Sequence, residues 1–319
     1  MTQPAAPIVR PAAAWTADDI AAILVDACGV RRIAALGPGP RSYSNRLWLA
    51  DTDEGRLLVR VPGRTTDPAY VRASIVAARL AAEAGVPTVR FRAFLPVTAL
   101  GLPVVVQEYR PGDSAAELAG RGAIDPAAVA AALGDWIGVL HGVRRAGHGG
   151  VLEAGGAWPE VAAGKVAAAL DRVGAADLPD ARPAIADAFA RAIAALPDVG
   201  AASLVHGDLY LDNVLVADGR AAAVIDFEHA HFYDRFAELG KLEELVFGWW
   251  PGTAAPFLRA YHRHFPPAPG DGVRRRLGVG LYELGQLAYF ARWQPDLVPV
   301  YRERLGRWLA APAPSPQEV

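Results

Sequence analysis

Short runs of hydrophobic and β-branched residues, separated by turn residues, dominate the first third of the chain. They predict five β-strands, at Arg32–Leu36, Tyr43–Ala50, Leu57–Val61, Val89–Phe94 and Pro103–Tyr109. Turn residues at Thr52–Gly55 separate the second and third strands, which should therefore form a hairpin. Apolar residues at helical spacing predict one helix from Thr16 to about Cys28 and another over Asp67–Ala84. Residues 1–109 should therefore form antiparallel strands accompanied by helices.

Helical periodicity dominates the rest of the chain, after a turn-rich joint at Arg110–Asp113. It predicts six helices, at Ala127–Val143, Trp158–Val173, Ala184–Ala195, Phe236–Phe247, Ala255–Phe265 and Gly272–Phe290. The stretch Ser203–Phe227 differs, because short β-type runs there are separated by tight turns. The expected fold class is α+β, with a small antiparallel β-lobe at 1–109 and a larger, mainly helical lobe at 110–319. A ligand site is expected in the cleft between two such lobes.

Composition narrows the classes of function. Of the 319 residues 52% are hydrophobic and 21% charged, which is typical of a chain with a large core. The net charge of −2 lacks the basic excess of nucleic-acid-binding proteins, so no nucleic-acid partner is expected. The single cysteine, Cys28, excludes an internal disulfide. No apolar run has the length of a signal peptide or a membrane span, so we expect a cytoplasmic protein with no membrane partner. Lys165 and Lys241 are the only lysines.

The residues that point to chemistry lie within Ser203–Phe227 and just beyond it. His-Gly-Asp-Leu-Tyr-Leu-Asp-Asn runs from His206 to Asn213, and Ile-Asp-Phe-Glu begins at Ile225. Asn213 would begin the next strand and Asp226 would end its partner strand, so a short hairpin would bring both to one end with Asp208. Two oxygen ligands for Mg²⁺ and a separate carboxylate base are what phosphoryl transfer from Mg-ATP requires. The alternative is that these residues only form a turn and cap a strand.

HGDLYLDNVLV followed by VIDFE resembles the signature of the aminoglycoside phosphotransferase family, part of the protein-kinase-like superfamily. The order of a β-lobe, a Glu-Tyr-x-Pro-Gly joint and the catalytic segment is also similar. The resemblance implies a bilobal protein-kinase-like fold that transfers the γ-phosphate of ATP, with Mg²⁺, to a hydroxyl of a small molecule. It implies that Asp208 is the catalytic base and that Asn213 and Asp226 are the magnesium ligands.

The resemblance also implies where the nucleotide binds. The loop Leu36–Asn45 would cover the phosphates, and its expected contacts are Ser42, Tyr43, Ser44 and Asn45. The alternative for Asn45 is a turn residue at the start of a strand. The backbone near Glu108 and Arg110 would hydrogen-bond adenine. We expect a monomer or a homodimer, and the choice between ATP and GTP stays open.

The chain departs from the family at the residues that usually hold the phosphates. Arg60 stands on the third strand where the family has lysine, and Ser74 stands about where the next helix has glutamate. A guanidinium binds phosphate through two parallel hydrogen bonds, so Arg60 is expected to contact the nucleotide and to take part in catalysis. The alternative is that Arg60 is an ordinary solvated strand residue.

Three functions fit these observations. The first is an ATP-dependent small-molecule kinase that inactivates an antibiotic, and the second is a metabolic kinase of the same fold, acting on a homoserine, choline or fructosamine type of acceptor. The third is a catalytically silent nucleotide-binding module, which the missing lysine and glutamate suggest and the intact Asp208, Asn213 and Asp226 oppose. Aromatic residues after Asp226 would line an acceptor pocket or, more in keeping with their spacing, pack in the core.

Overall fold

The first half of the fold is a five-stranded antiparallel sheet in which the strands follow the order β1-β2-β3-β5-β4. Its strands are β1 (Ile33–Pro38), β2 (Asn45–Thr52), β3 (Gly55–Pro62), β4 (Phe91–Leu95) and β5 (Val104–Glu108). Two helices accompany the sheet, α1 (Ala17–Cys28) and α2 (Pro68–Glu83). The computed structural model describes residues 15–40, 42, 45–63, 67–98, 101–173, 178, 181–312 and 314.

Local capping explains where the first two helices begin. The Oγ1 of Thr16 accepts a hydrogen bond from the Asp19 N–H at 3.2 Å, and the Asp19 carboxylate accepts one from the Thr16 N–H at 2.8 Å. Asp67 caps α2 in the same way, through the N–H of Ala69 at 2.8 Å, and Pro68 occupies the first helical position. The predicted helices and the Thr52–Gly55 hairpin are confirmed within two residues.

The second half of the fold is mainly helical and carries two small sheets. Its helices are α3 (Ala115–Gly120), α4 (Pro126–His141), α5 (Trp158–Arg172), α6 (Arg182–Ala194), α7 (Leu239–Leu242), α8 (Ala254–Tyr261), α9 (Asp271–Trp293) and α10 (Val298–Ala310). Its strands are β6 (Asp113–Ser114), β7 (Arg144–Arg145), β8 (Gly149–Gly150), β9 (Ala202–Val205), β10 (Val214–Ala217), β11 (Arg220–Val224) and β12 (His231–Tyr233). The sheets are ordered β11-β10-β6 and β7-β9-β12-β8.

One predicted helix of this half is wrong in detail. Residues 236–247 are helical throughout but not one regular α-helix: a 3₁₀ turn (Arg235–Glu238) leads into α7, and a π-helical segment follows at Glu243–Gly248. The Asp234 carboxylate accepts a hydrogen bond from the Phe236 N–H at 3.0 Å, and the Glu238 side chain turns inward to bond with a neighbouring loop. These tertiary contacts override the helical periodicity of the sequence.

Buried side chains form one cluster under the five-stranded sheet and another that spans both halves, from α2 to α4. Ile20 and Leu24 of α1 pack with Leu57 and Val59 of β3 under the five-stranded sheet. In the helical half, α4 lies against α8, where a Cβ on Gly134 would come within 2.2 Å of the Phe257 carbonyl oxygen. Within the described part of the chain, no helix is both long enough and apolar enough to cross a membrane. The predicted α+β class, with a small antiparallel lobe and a larger helical lobe, is confirmed.

The joint between the halves is fastened by one side chain and one backbone contact. The Arg110 guanidinium donates hydrogen bonds to the carbonyl of Thr88 at 3.4 Å and to that of Ala222 at 3.2 Å. The Val224 N–H donates to the Pro87 carbonyl at 2.8 Å. The hairpin β10–β11 is thereby attached to the segment that precedes β4. The division of the chain at residue 109 itself stays a prediction.

Candidate active site

The loop after β9 presents Asp208, and His206 holds that loop in shape. His206 is fully buried, its Nε2–H donates to the Ile225 carbonyl at 2.9 Å, and its Nδ1 accepts from the Asp208 N–H at 3.2 Å. Burial lowers the pKa of His206, so the ring stays neutral and keeps one donor and one acceptor. His206 therefore joins the catalytic loop to the strand that leads to Asp226.

A buried carboxylate anchors the same loop from the other side. Glu238 accepts the His206 N–H at 2.5 Å and the Gly207 N–H at 3.0 Å, and it is 1% exposed. Burial by itself would raise the pKa of Glu238, but the His141 ring, whose Nε2 lies 3.8 Å from the carboxylate, and the backbone N–H of His206 outweigh it, so the pKa is lowered and the group is ionised. Gly207 has φ +76°, and a Cβ there would lie 2.1 Å from the His229 carbonyl oxygen.

Asn213 lies directly against Asp208. Its side-chain N–H₂ donates to the Asp208 carbonyl oxygen at 2.8 Å and to the carboxylate Oδ2 at 3.2 Å. Asn213 is nearly buried and ends a 3₁₀ turn (Leu211–Asn213) that precedes β10, whereas the sequence pattern placed it at the start of the strand. Because the amide nitrogen faces Asp208, the amide oxygen is the atom of Asn213 suited to a metal ion.

Asp226 follows β11 in a left-handed conformation, with φ +68°, two residues beyond the strand that it was expected to end. Its Oδ1 is buried and has no hydrogen-bond partner among the described residues, although its side chain as a whole is 35% exposed. Burial and the neighbouring charges of Glu228 and Asp208 raise the pKa of Asp226 to about 7, against the opposing effect of Arg60 and Lys241. A buried carboxylate oxygen without a partner fits a magnesium ligand.

The structure brings Arg60 into the same site from β3. Its Nη2 donates to the Ser74 Oγ at 3.3 Å, so the two residues that replace the usual lysine and glutamate do face each other. Its Nη1 donates to the Glu228 Oε1 at 3.0 Å and lies 3.9 Å from the Asp226 Oδ1. With 11% of its side chain exposed, Arg60 is an enclosed residue of the cleft, not a solvated strand residue.

The loop over the phosphates is only partly within the described residues, and Tyr43 and Ser44 lie outside them. The Ser42 Oγ accepts a hydrogen bond from the Asn45 N–H at 3.2 Å. The Asn45 side chain donates to the Glu228 Oε1 at 3.3 Å, so it reaches across the cleft to the same carboxylate as Arg60. Ser42 and Asn45 therefore border the site, and their contacts with a nucleotide stay predictions.

The expected adenine contacts are partly taken up by the fold. The Glu108 N–H donates to the Arg90 carbonyl at 2.8 Å and the Tyr109 N–H to the Arg56 carbonyl at 2.9 Å, so neither is available to a base without rearrangement. The Arg110 side chain is bonded to backbone carbonyls at the joint. A cavity of about 360 Å³ opens beside these residues, lined by Val89, Arg90, Glu108, Tyr109, Arg110, Pro111, Ala217 and Ala222.

Two residues at the site were missed by the sequence reasoning. Lys241 on α7 forms an ion pair with the Asp208 Oδ1 and lies 4.5 Å from the Tyr210 ring centroid. Tyr70 on α2 has a raised pKa because of its burial and the charges of Glu228, Asp226 and Asp208, which places its ring near all three carboxylates. The scarcity of lysine in the sequence was a usable signal for Lys241, whereas no local pattern marked Tyr70.

Known proteins resemble this chain in sequence pattern and in fold. The model of the phosphotransferase enzyme family APH matches residues 37–277. No curated protein sequence matches the chain at a significant level.

Three solved structures illustrate the shared fold. The aminoglycoside phosphotransferase APH(4)-Ia, as a thermostable mutant in a ternary complex with ADP and hygromycin B, is 19% identical with a TM-score of 0.70, over 92% of this chain and 99% of that one. A candidate fructosamine-3-kinase from Thermobifida fusca YX-ER1 is 21% identical with a TM-score of 0.64, over 90% and 98%. A GDP complex of an aminoglycoside 2'-phosphotransferase mutant is 15% identical with a TM-score of 0.63, over 92% and 98%. The bilobal protein-kinase-like fold is thereby confirmed.

Proposed function

Because this chain belongs to the APH phosphotransferase enzyme family, we propose that it transfers the γ-phosphate of ATP, with Mg²⁺, to a hydroxyl group of a small-molecule acceptor. One observation carries the proposal: the Asp208 carboxylate is bonded to Asn213 and lies in the same site as the unpartnered, buried Oδ1 of Asp226. A fixed carboxylate beside two oxygen ligands is the arrangement that phosphoryl transfer to a hydroxyl needs.

Each residue has a distinct task in this proposal. Asp208 accepts the proton of the attacking hydroxyl, and the hydrogen bond from Asn213 holds its carboxylate in one orientation. The Asn213 amide oxygen and the Asp226 carboxylate would hold Mg²⁺, which neutralises phosphate charge when it is bound. Arg60 donates to phosphate oxygens from the opposite wall of the cleft.

The Arg60 contacts also bear on the proposal of a silent module. Glu228 and Ser74 hold the guanidinium 3.9 Å from Asp226, one of the two proposed magnesium ligands. Arginine keeps its charge over the whole physiological pH range and matches phosphate geometry. The exchange of lysine for arginine is therefore compatible with turnover, and we favour an active kinase.

Two classes of acceptor have support from similar structures. APH(4)-Ia was solved with hygromycin B, which favours an antibiotic, and the Thermobifida fusca protein favours a metabolic hydroxyl compound such as a fructosamine. The complex with ADP supports ATP as the donor, and the GDP complex keeps GTP as a second donor to be tested. A cytoplasmic location and a monomeric or homodimeric state remain predictions from the sequence.

The test is direct detection of the product. Wild-type protein is incubated with ATP and a panel of antibiotic and metabolic hydroxyl compounds, with and without Mg²⁺, and phosphate esters are detected by ³¹P NMR. We expect an ester that forms only with Mg²⁺. If no compound is phosphorylated while ATP still raises the melting temperature, the chain is a nucleotide-binding module and the proposal is wrong. Growth protection by the expressed gene, tested against the antibiotics, then separates resistance from metabolism.

A further inference from the structure

Lys241 contacts Asp208, which accepts the proton of the acceptor hydroxyl in the proposed function. Its ammonium is ion-paired with the Asp208 Oδ1, and only 15% of its side chain is exposed. The ammonium also lies over the Tyr210 ring, 4.5 Å from the centroid. An ammonium has three donors, and the carboxylate takes one of them. An acceptor hydroxyl that approaches Asp208 therefore meets a positive charge at the same place.

The position of Lys241 is fixed by the element that also anchors the catalytic loop. Helix α7 begins directly after Glu238, whose carboxylate bonds to the backbone of His206 and Gly207. Gly240 packs so closely on α9 that a Cβ there would lie 2.3 Å from the Tyr282 Cβ. The lysine is thus held at the reaction centre by packing on both sides and is not a mobile surface residue.

Three acidic residues near the site are paired with arginines. They therefore do not cancel the positive charge that a cationic acceptor would meet at Lys241. Glu228 is bonded to Arg60, Glu243 to Arg275 at 2.7 Å, and Glu244 to Arg304 at 3.2 Å. Glu244 also accepts hydrogen bonds from the hydroxyls of Tyr282 and Tyr301. These three carboxylates are therefore already paired within the protein, and Asp212 is hydrogen-bonded to the Ser114 hydroxyl.

We propose that Lys241 determines acceptor specificity: it favours an acceptor that carries an oxygen, as hydroxyl, carbonyl or carboxylate, next to the reacting hydroxyl, and it disfavours an ammonium group there. The inference rests on the proposed phosphotransfer. An oxygen next to the reacting hydroxyl accepts a hydrogen bond from the Lys241 ammonium, whereas an ammonium at the same place is repelled by it. The predicted acceptors are therefore polyols, hydroxy acids or neutral sugars rather than amino sugars with the amine beside the reacting hydroxyl.

The test compares matched acceptors that differ only in a hydroxyl or an amine on the carbon next to the reacting hydroxyl, such as a sugar and the corresponding amino sugar. The values of kcat/KM are measured for wild type, Lys241→Gln and Lys241→Arg. The matched control is Lys165→Gln, which removes the other lysine of the chain, whose ammonium contacts Tyr233. Thermal unfolding establishes that each variant is folded.

We expect wild type, Lys241→Arg and Lys165→Gln to prefer the hydroxyl member by about tenfold or more. Lys241→Gln should lose most of this preference, mainly through KM. If Lys241 were only structural, its loss would lower turnover of both members equally. An active Lys241→Gln with an unchanged ratio of kcat/KM between the two members therefore overturns the inference. A wild-type preference for the amine also overturns it. If wild type phosphorylates neither member, the proposed function fails. In that case the melting-temperature shifts that the two members cause with ADP and Mg²⁺ decide the inference, and equal shifts overturn it.

Discussion

The catalytic segment of the larger lobe and the Arg60 region of the smaller lobe are held by contacts of different kinds. Asp208 is fixed within its own lobe, by Asn213 five residues away and by the buried Glu238 beneath the loop. Arg60 bonds to Ser74 in its own lobe, but its charged partner is Glu228 of the other lobe. The proposed catalytic base is therefore held by one lobe, whereas the proposed phosphate-binding cation depends on the contact between both.

This difference predicts that substitutions in the two regions have different effects on stability and on turnover. Damage beneath the catalytic loop should reduce both stability and turnover, because buried polar contacts hold the backbone there. Damage at Arg60 should impair use of the nucleotide and leave the fold intact, because its side chain bonds to other side chains of the cleft and holds no backbone segment in place. Variants of the two regions therefore test whether stability and nucleotide use depend on different contacts.

The largest effect on stability is expected for Glu238→Gln. An amide supplies one acceptor oxygen where the carboxylate serves the N–H groups of both His206 and Gly207. Leaving a buried donor unsatisfied costs about 1–3 kcal/mol, which chemical denaturation would measure as a loss in the free energy of unfolding. The matched control is Glu243→Gln, which breaks the partly exposed pair with Arg275 and should cost less than about 1 kcal/mol. Equal losses in the two variants would contradict preorganisation by Glu238.

A smaller and more selective effect is expected for Arg60→Ala. Loss of hydrogen bonds from a charged group to phosphate should lower kcat/KM for ATP by about ten- to a hundredfold, with the melting temperature almost unchanged. Arg56→Ala is the control, because this arginine lies on the same strand but pairs with Asp51 at the surface. Unchanged ATP kinetics in Arg60→Ala would remove the residue from the site. Partial activity in Arg60→Lys would show that the positive charge matters more than the two parallel hydrogen bonds of a guanidinium.

The smallest effect concerns pH and Asp226. In the folded, metal-free protein its pKa is raised to about 7, so the carboxylate loses its proton later than in the unfolded chain. Stability from this group is therefore complete below the unfolded pKa and is lost as the pH rises through the folded value. The amide in Asp226→Asn has no proton to lose. The melting temperature of this variant minus that of wild type, both measured in EDTA, should therefore increase from about pH 5 to about pH 8. The side chain is 35% exposed, so solvent moderates the gain.

Asp212→Asn serves as the control for the pH series, because Asp212 is an exposed carboxylate hydrogen-bonded to the Ser114 hydroxyl. Its melting temperature should follow that of wild type across the range. A difference between Asp226→Asn and wild type that stays constant or narrows as the pH rises would show that Asp226 is not destabilised by its charge.

The sequence predicted the catalytic side of the site better than the nucleotide side. Asp208, Asn213 and Asp226 are separated by short turns, so the local pattern was enough to bring them together, with errors of one or two residues in the strand limits. Ser74, which the resemblance placed about where the family has glutamate, does face Arg60. The roles of these residues in turnover stay predictions.

The contacts that the sequence could not predict join distant residues. Arg60 and Glu228 are 168 positions apart, and no local periodicity relates β3, which carries Arg60, to the 3₁₀ turn that carries Glu228. Lys241 was missed for another reason: residues 236–247 were expected to form one regular helix, whereas they form 3₁₀, α and π segments, and Lys241 pairs with Asp208 from the α segment. Pairing across the cleft and local breaks in helices depend on tertiary contacts that a single sequence does not display.

The central claim is that Asp208 accepts the proton of the acceptor hydroxyl. The most direct test is kcat for Asp208→Asn against Asp212→Asn, two isosteric changes four residues apart in the same loop, measured with Mg-ATP and the acceptor found by ³¹P NMR. Asp208→Asn should lose about 10²- to 10⁴-fold in kcat, as expected for a positioned general base, while Asp212→Asn stays close to wild type. Retention of wild-type kcat by Asp208→Asn would contradict the account.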